Sequence, residues 1–525
     1  MITLPTNREA YLGSKQSNDM WVVEAIWGHR IEPQPFSALM LEFLGIAEGM
    51  YREGQLFDPT RPNGKHVYTA NRSLQLRNIL FKNPGMEEIL ADSSNHDEDA
   101  WDTWLEEMAD SAILGINQST DFSYLRSRFQ SFGELVSIVR LLRSIVVDPG
   151  SSRAWTAQFI FPIGPAALYE PVYETPGADK LDFNRRVFTR TGELAYLMLT
   201  RASEPLRTRI KDGLEPSLKP DGARNKLLLR LLEDGVPDLG NRKGGTYLPY
   251  IAHPAYDRMG SDIAALLELG MPNQDAFQYI QPLLGLHVYL YAIETANAWA
   301  GNADMPNIVC EILAPRSDLV RKAAISSYLD NDGLGLRAVR GYLESTVKEN
   351  EELQAALDGD DIDDVEKMRQ LGSFLQEKFS LDERLIDDGD NADAMLKAFY
   401  AHAERHYKTY TSAGLVGLAK GCGLVSQRGT NRSRYAPTDE LLRCLVLANV
   451  SAPMEESAFL TLLFVRYRLV IGATEAGDVV PTSLFDESDF KRNRERFSQH
   501  LIGLGLARRM SDACTYIINP MEKRG

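Results

Sequence analysis

The chain has 525 residues, 44% of them hydrophobic and 25% charged, and a formal net charge of −16. That is ordinary globular composition, too long for one core, and it suggests three or four domains. No run approaches the ~18 apolar residues of a membrane span, and Met1-Ile-Thr-Leu-Pro-Thr-Asn-Arg lacks the layout of a secretion signal. Cys310, Cys422, Cys444 and Cys514 are scattered without a CxxC pair, which argues against a disulfide framework or cysteine-rich zinc site and for a reducing cytoplasm.

Residues 1–150 read as a helical amino-terminal domain. Ala38 to Tyr51 is strongly apolar and predicts a buried helix, and Gly133 to Val147 has helical spacing up to the turn signal Asp148-Pro149-Gly150. Between them Trp101 and Trp104 share one helical face, a pattern of core packing more than of partner docking.

Residues 151–343 form a mixed α/β to helical middle domain. Ala154-Trp-Thr-Ala-Gln-Phe-Ile-Phe-Pro is rich in β-formers and reads as strand. Phe183 to Arg201 leads into a helix and carries Arg185, Arg186, Arg190 and Glu193. Further helices are expected at Lys226 to Leu232, Ser261 to Leu269 and Phe277 to Trp299, with Gly244-Gly245-Thr246 as a loop. Residues 344–392 make an acidic, helical or partly disordered connector. Glu344 to Asp393 holds 17 acidic and 5 basic residues, so most of the negative charge is local.

From Lys397 onward basic residues outnumber acidic ones, 18 to 13. A winged helix needs a short helical unit whose last helix runs into a two-stranded hairpin, and this ordering occurs twice. In residues 393–437 two helices precede Leu424 to Ala436, a strand, a turn bearing Arg428, Arg432 and Arg434, and a second strand. In residues 438–525 Thr438 caps a helix opening with Asp439 and Glu440, Glu455 to Leu469 gives the second, and Phe490 to Leu504 the third. On that third helix Phe490, Phe497, Leu501 and Leu504 share one face. Arg492, Arg496 and Gln499 lie opposite, Lys491 to one side, and Arg494 beside the apolar stripe where it snorkels or pairs internally. Arg508 and Arg509 then sit on the first strand of the closing hairpin. These nine polar positions (Arg428, Arg432, Arg434, Lys491, Arg492, Arg496, Gln499, Arg508 and Arg509) are the candidate nucleic-acid contacts, since cations at such places gain affinity by releasing condensed counterions. The fold class expected is mainly α with small β elements, α+β, multidomain, ending in winged-helix modules.

No GxxxxGK[ST], GxSxG or HExxH motif is present. His402 and His406 stand four apart on a helix without a third metal ligand, and His29 and His66 lack a neighbouring acid or nucleophile. No catalytic residue, cofactor or metal is therefore assigned. Two stretches, Phe183 to Ala202 and Thr430 to Val450, resemble winged-helix accessory subunits of bacterial anti-phage and plasmid defence systems. That resemblance implies an accessory subunit of a multi-protein DNA-targeting machine, working beside an ATPase or helicase. The leading expectation is a non-enzymatic DNA-binding scaffold. The alternatives are a pure protein-assembly factor partnering an ATPase, or a nuclease or hydrolase with its site around Arg186, Arg190 and Glu193.

Overall fold

Apolar residues at helical spacing dominate the chain, and the structure is correspondingly mainly helical, with strands of only two to five residues. It is a computed structural model describing residues 22–59, 66–68, 75–81, 83, 85–92, 96–111, 121–144, 164–167, 172–174, 181–183, 190–233, 244–246, 248, 250–302, 304–312, 318–359, 362–379, 391–426, 432–511 and 514–521. The strand expected from Ala154 lies outside these residues, as do Asp148-Pro149-Gly150, Arg185, Arg186 and Arg428.

The chain opens with α1 (Val22–Trp27), α2 (Phe36–Arg52), β1 (His66–Tyr68), α3 (Gln75–Phe81), α4 (Met86–Ala91), α5 (Asp97–Ser111) and α6 (Phe132–Ser144). Trp101 and Trp104 are fully buried on α5, both against Phe132 of α6, so they do pack in the core. The antiparallel pair β2 (Val172–Glu174) and β3 (Leu181–Phe183) precedes α7 (Thr191–Thr200), α8 (Glu204–Leu218) and α9 (Ala223–Leu229). Gly244-Gly245-Thr246 is not a loop. It forms β4 (Gly244–Thr246), antiparallel to β1, because glycines without side chains still carry backbone donors and acceptors for a ladder.

Next come α10 (Pro254–Glu268), α11 (Asn273–Trp299), β5 (Ile308–Val309), α12 (Asp318–Lys348), α13 (Glu351–Asp358) and α14 (Asp364–Phe379). Among the described residues the acidic stretch is thus mainly helical, with Leu371, Leu375 and Phe379 buried and the described carboxylates largely on the outside. α15 (Ala392–Tyr407) runs through a π-helical turn, Lys408–Ser412, into α16 (Ala413–Gly421), followed by the hairpin β6 (Val425–Ser426) and β7 (Arg434–Tyr435). The last stretch contains α17 (Asp439–Asn449), β8 (Met454–Glu455), α18 (Glu456–Tyr467), β9 (Leu469–Val470), α19 (Ala473–Val479), α20 (Glu487–Gly503), β10 (Ala507–Ser511) and β11 (Cys514–Ile517).

α11 is the hub. It is buried nearly all round from Ile280 to Ala296, as a helix without a polar face must be, and packs against α2, α10, α12, α16 and α17. Trp27 of α1 donates its indole N–H to the Ala292 carbonyl at 2.9 Å. α7 crosses α2 closely at Gly192, where a Cβ would lie 2.6 Å from the Leu39 carbonyl oxygen. The ranges read from sequence as separate domains share one buried cluster extending from Val22 to Ile517. No helix among the described residues is long and apolar enough to cross a membrane.

Two polar networks sit inside this apolar mass. The fully buried Asp262 carboxylate of α10 accepts from His287 Nε2 of α11 at 2.8 Å, from Tyr467 Oη of α18 at 2.6 Å, and from the Arg466 guanidinium. Beside it Arg258 pairs with Glu294 at 2.7 Å and donates to the Arg466 carbonyl at 3.1 Å. Two carboxylates and two guanidiniums balance, so buried charge is neutralised in place. His253 caps α10 through Nδ1, which accepts the Ala255 N–H at 3.1 Å, a role open only to a ring nitrogen without a proton.

Burial, with the Arg258 charge adding to it, lowers the His253 pKa to about 3. The unfolded chain takes up this proton below the ordinary histidine value and the folded one does not. Stability is therefore full above pH ~6.5 and falls as pH drops towards 3, by up to ~1.4 kcal/mol per unit. Unfolding by denaturant should show His253→Asn, which keeps a capping acceptor and cannot titrate, losing about 2 kcal/mol less than wild type between pH 6.5 and 5. Equal losses would contradict this role. Asp262→Ala should cost about 3–5 kcal/mol at neutral pH by stranding its partners, and an unaltered denaturation midpoint would refute the network's weight.

Candidate nucleic-acid interface

The candidate positions fall mainly on the last three elements, and local chemistry explains how these are held. Thr438 caps α17 by accepting the Leu441 N–H at 3.3 Å, and Asp486 caps α20 by accepting the Asp489 N–H at 2.9 Å. The stripe of α20 is buried at Phe490, Phe497 and Leu501 and half-buried at Leu504. After Gly505, which adopts φ 72°, the chain turns into β10 and β11. β11 pairs with β10 on one side and with β8 on the other, giving an antiparallel sheet of order β10-β11-β8.

Asn493 fastens the back of α20. This side chain, 2% exposed, donates to the carbonyls of Cys310 (3.0 Å) and Ile471 (2.9 Å) and accepts the Ile312 N–H at 2.8 Å. The same segment runs parallel to β9 through β5, and its Glu311 N–H reaches the Tyr435 carbonyl at 3.0 Å. A strand between α11 and α12 is thus stitched to β7, β9 and α20 at once. Sequence reading missed this, because a single asparagine among polar residues does not advertise three distant partners.

The outward side of α20 carries Lys491, Arg492 and Gln499, all exposed, with Arg496 half-buried at its edge. Lys491 pairs with Glu487 at 2.7 Å, and Arg492 pairs with Asp489. Arg494 turns inward to Glu456 at 3.2 Å, the internal pairing expected for it. Arg508 and Arg509 are both exposed, whereas Ala507 before them is buried.

The first hairpin needs a correction. Arg434 was expected at a basic turn clear of acids, yet it is buried, its Nε bonded to Glu311, whose other oxygen pairs with Arg321 at 2.9 Å. Arginine is long enough to reach a carboxylate supplied by a remote strand, which linear spacing cannot reveal. Arg432 is exposed.

The other polar candidates are engaged inside the fold. His29 does have an acidic neighbour, Glu193, at 3.1 Å, and Glu193 also binds Arg190 at 2.6 Å. Both His29 and Glu193 are buried, and the Arg190 and His29 interactions hold the Glu193 carboxyl well below its usual range against the opposing effect of burial. His406 stacks near Tyr410, with ring centroids 4.7 Å apart, and Glu404 pairs with Arg340. Among the described residues no three His, Cys, Asp or Glu side chains are grouped to hold a metal. No family model, curated protein or solved structure matches the chain.

Asn493→Ala, which leaves three buried backbone groups without their partner, should lower unfolding free energy by about 2–4 kcal/mol. Glu487→Gln on the outside of α20 should change it by under about 0.5 kcal/mol. Equal costs for the two would remove Asn493 from its fastening role.

Proposed function

We propose that residues 438–521 are a winged-helix unit whose wing and outward α20 face grip nucleic-acid backbone, while the helical remainder docks protein partners. The observation that carries this reading is the order α17, β8, α18, β9, α19, α20 and closing hairpin β10–β11, with sheet order β10-β11-β8, together with the adjacent exposed pair Arg508 and Arg509. In a winged helix the last helix reaches a groove and the hairpin touches phosphate or the minor groove. That α20 runs into β10–β11, with Lys491, Arg492, Arg508 and Arg509 exposed, supports this comparison.

Backbone attraction suits this surface better than base reading. Glu487 and Asp489 hold Lys491 and Arg492 on the same helix, which dilutes its field, whereas among the described residues no ion pair engages the exposed Arg508. Arg432 adds a further exposed cation, and Arg434 is withdrawn from the set by its bond to Glu311. The role this supports is a non-enzymatic DNA-binding and scaffolding subunit of a multi-protein complex, of the type that bacterial defence systems contain, with an ATPase or helicase supplying the chemistry. A second reading, protein assembly alone, draws on the exposed apolar side chains Val465, Ile502 and Met510 of the same unit.

Fluorescence anisotropy of the full chain with a 20-base-pair duplex, between 50 and 200 mM salt, separates the two. Arg508→Ala with Arg509→Ala should weaken binding alike on unrelated sequences and flatten the slope of log Kobs against log salt by about 2. No salt-sensitive binding by wild type, or the same slope in the double variant, would overturn the nucleic-acid reading. Copurification of an ATPase through nuclease treatment would then favour assembly.

A further inference from the structure

We propose that a small cavity at the junction of α1, α11, α12 and the α15–α16 turn is a binding site for a primary ammonium group, carried by a free amine or by a lysine side chain. Its walls include Trp27, Tyr289, Tyr328 and Tyr407, all buried, with Asn331 and Asp332 beside them and aliphatic side chains of α11 and α16 filling the remainder. The space among them admits about one water-sized sphere, roughly 10 Å³. An ammonium head is the organic cation nearest that size. A guanidinium or a quaternary ammonium is larger.

The chemistry of the lining is that of a cation site. Aromatic rings attract a cation through their quadrupole, most strongly when it is desolvated. Asp332 reaches solvent on one side and the cavity on the other. Among the described residues no lysine or arginine forms an ion pair with it. Partial burial lifts its carboxyl above the usual range, opposed by a hydrogen bond from Ser412, which is the condition of a carboxylate that a cation would relieve.

The lining residues carry acceptors for the N–H donors of an ammonium group. Asn331 gives its amide hydrogens to the Asn307 carbonyl (3.0 Å) and to Tyr435 Oη (3.1 Å), so the oxygen is its remaining polar end. Tyr407 Oη sits over Gly335, where a Cβ would stand 1.9 Å from it. Glycine inside a helix is ~1 kcal/mol worse than alanine, and here it makes room for that hydroxyl. Tyr407 also stacks on Trp27 (centroids 5.7 Å apart, planes 11° apart), and the π-helical turn that follows brings Ser412 to Asp332. The carboxylate, the amide oxygen and the phenol oxygen supply three acceptors from α12 and α15.

The test is thermal unfolding of the full chain in methylammonium chloride and in Nα-acetyl-lysine methylamide. Sodium chloride at equal ionic strength, tetramethylammonium chloride and the Nζ-acetylated lysine compound are the controls. A saturable rise in midpoint with methylammonium, weakened at least tenfold in apparent affinity by Asp332→Asn, is the expected result. Saturation by the lysine compound alone, with the same loss in Asp332→Asn, supports the site and identifies its occupant as a side chain. The shift on adding ligand is read for each protein against its own midpoint without ligand. No effect beyond sodium chloride, an equal response in Asp332→Asn, or an equal response to tetramethylammonium overturns the proposal.

Discussion

A single carboxylate, Asp262, ties together parts of the chain some two hundred residues apart. It has no exposure to solvent and would be strongly unfavourable there alone. Its oxygens collect a histidine from α11 and both a tyrosine and an arginine from α18. Burial and the Asp262 charge push the Tyr467 hydroxyl far above its ordinary range, so it remains a donor. Burial likewise holds His287 below its ordinary value, so the ring stays neutral between Arg258 and Arg466. Such a cluster tolerates few alternative packings, because displacing any member strands the others.

The consequence is an orientation. With α18 bound to α10 and α11 through Asp262, and α20 bound to the strand after α11 through Asn493, the carboxy-terminal elements are gripped from behind at two points. Arg434 and Glu311 add a third grip nearby. What is left outward is the polar side of α20 and the β10–β11 hairpin. The interior thereby decides which cations are surface and which are internal counter-ions. Arg434, Arg466 and Arg494 are counter-ions to buried carboxylates, Arg494 from a half-exposed position, and Arg432, Arg492, Arg508 and Arg509 face solvent.

Much of this was legible in the sequence where the signal is local. The cap Thr438, the stripe of Phe490, Phe497 and Leu501, the inward turn of Arg494 and the burial of Trp101 and Trp104 all follow from spacing and side-chain chemistry within one element. The elements around them, from the apolar helix after Phe36 to the closing hairpin, follow from the same patterns. Whatever depends on a distant partner was not legible. Arg434 looked like a turn cation until Glu311 was beside it, and His29 looked solitary until Glu193 was 3.1 Å away. Gly244 and Gly245 read as loop because β1 lies far back in the chain. The run Asp330-Asn-Asp-Gly-Leu-Gly has the composition of a turn, yet it lies in the middle of α12, where packing against α11, β5 and β7 overrides weak propensity.

On the proposed function a hairpin and one helix face, fixed from behind, are where nucleic acid would lie. Hydrogen–deuterium exchange of the full chain with and without a short duplex checks this. Slower exchange is expected at residues 507–511, 514–517 and 491–503 on adding duplex, with 254–299 unchanged. Protection appearing in the α10–α11 region while the hairpin exchanges as before would contradict it.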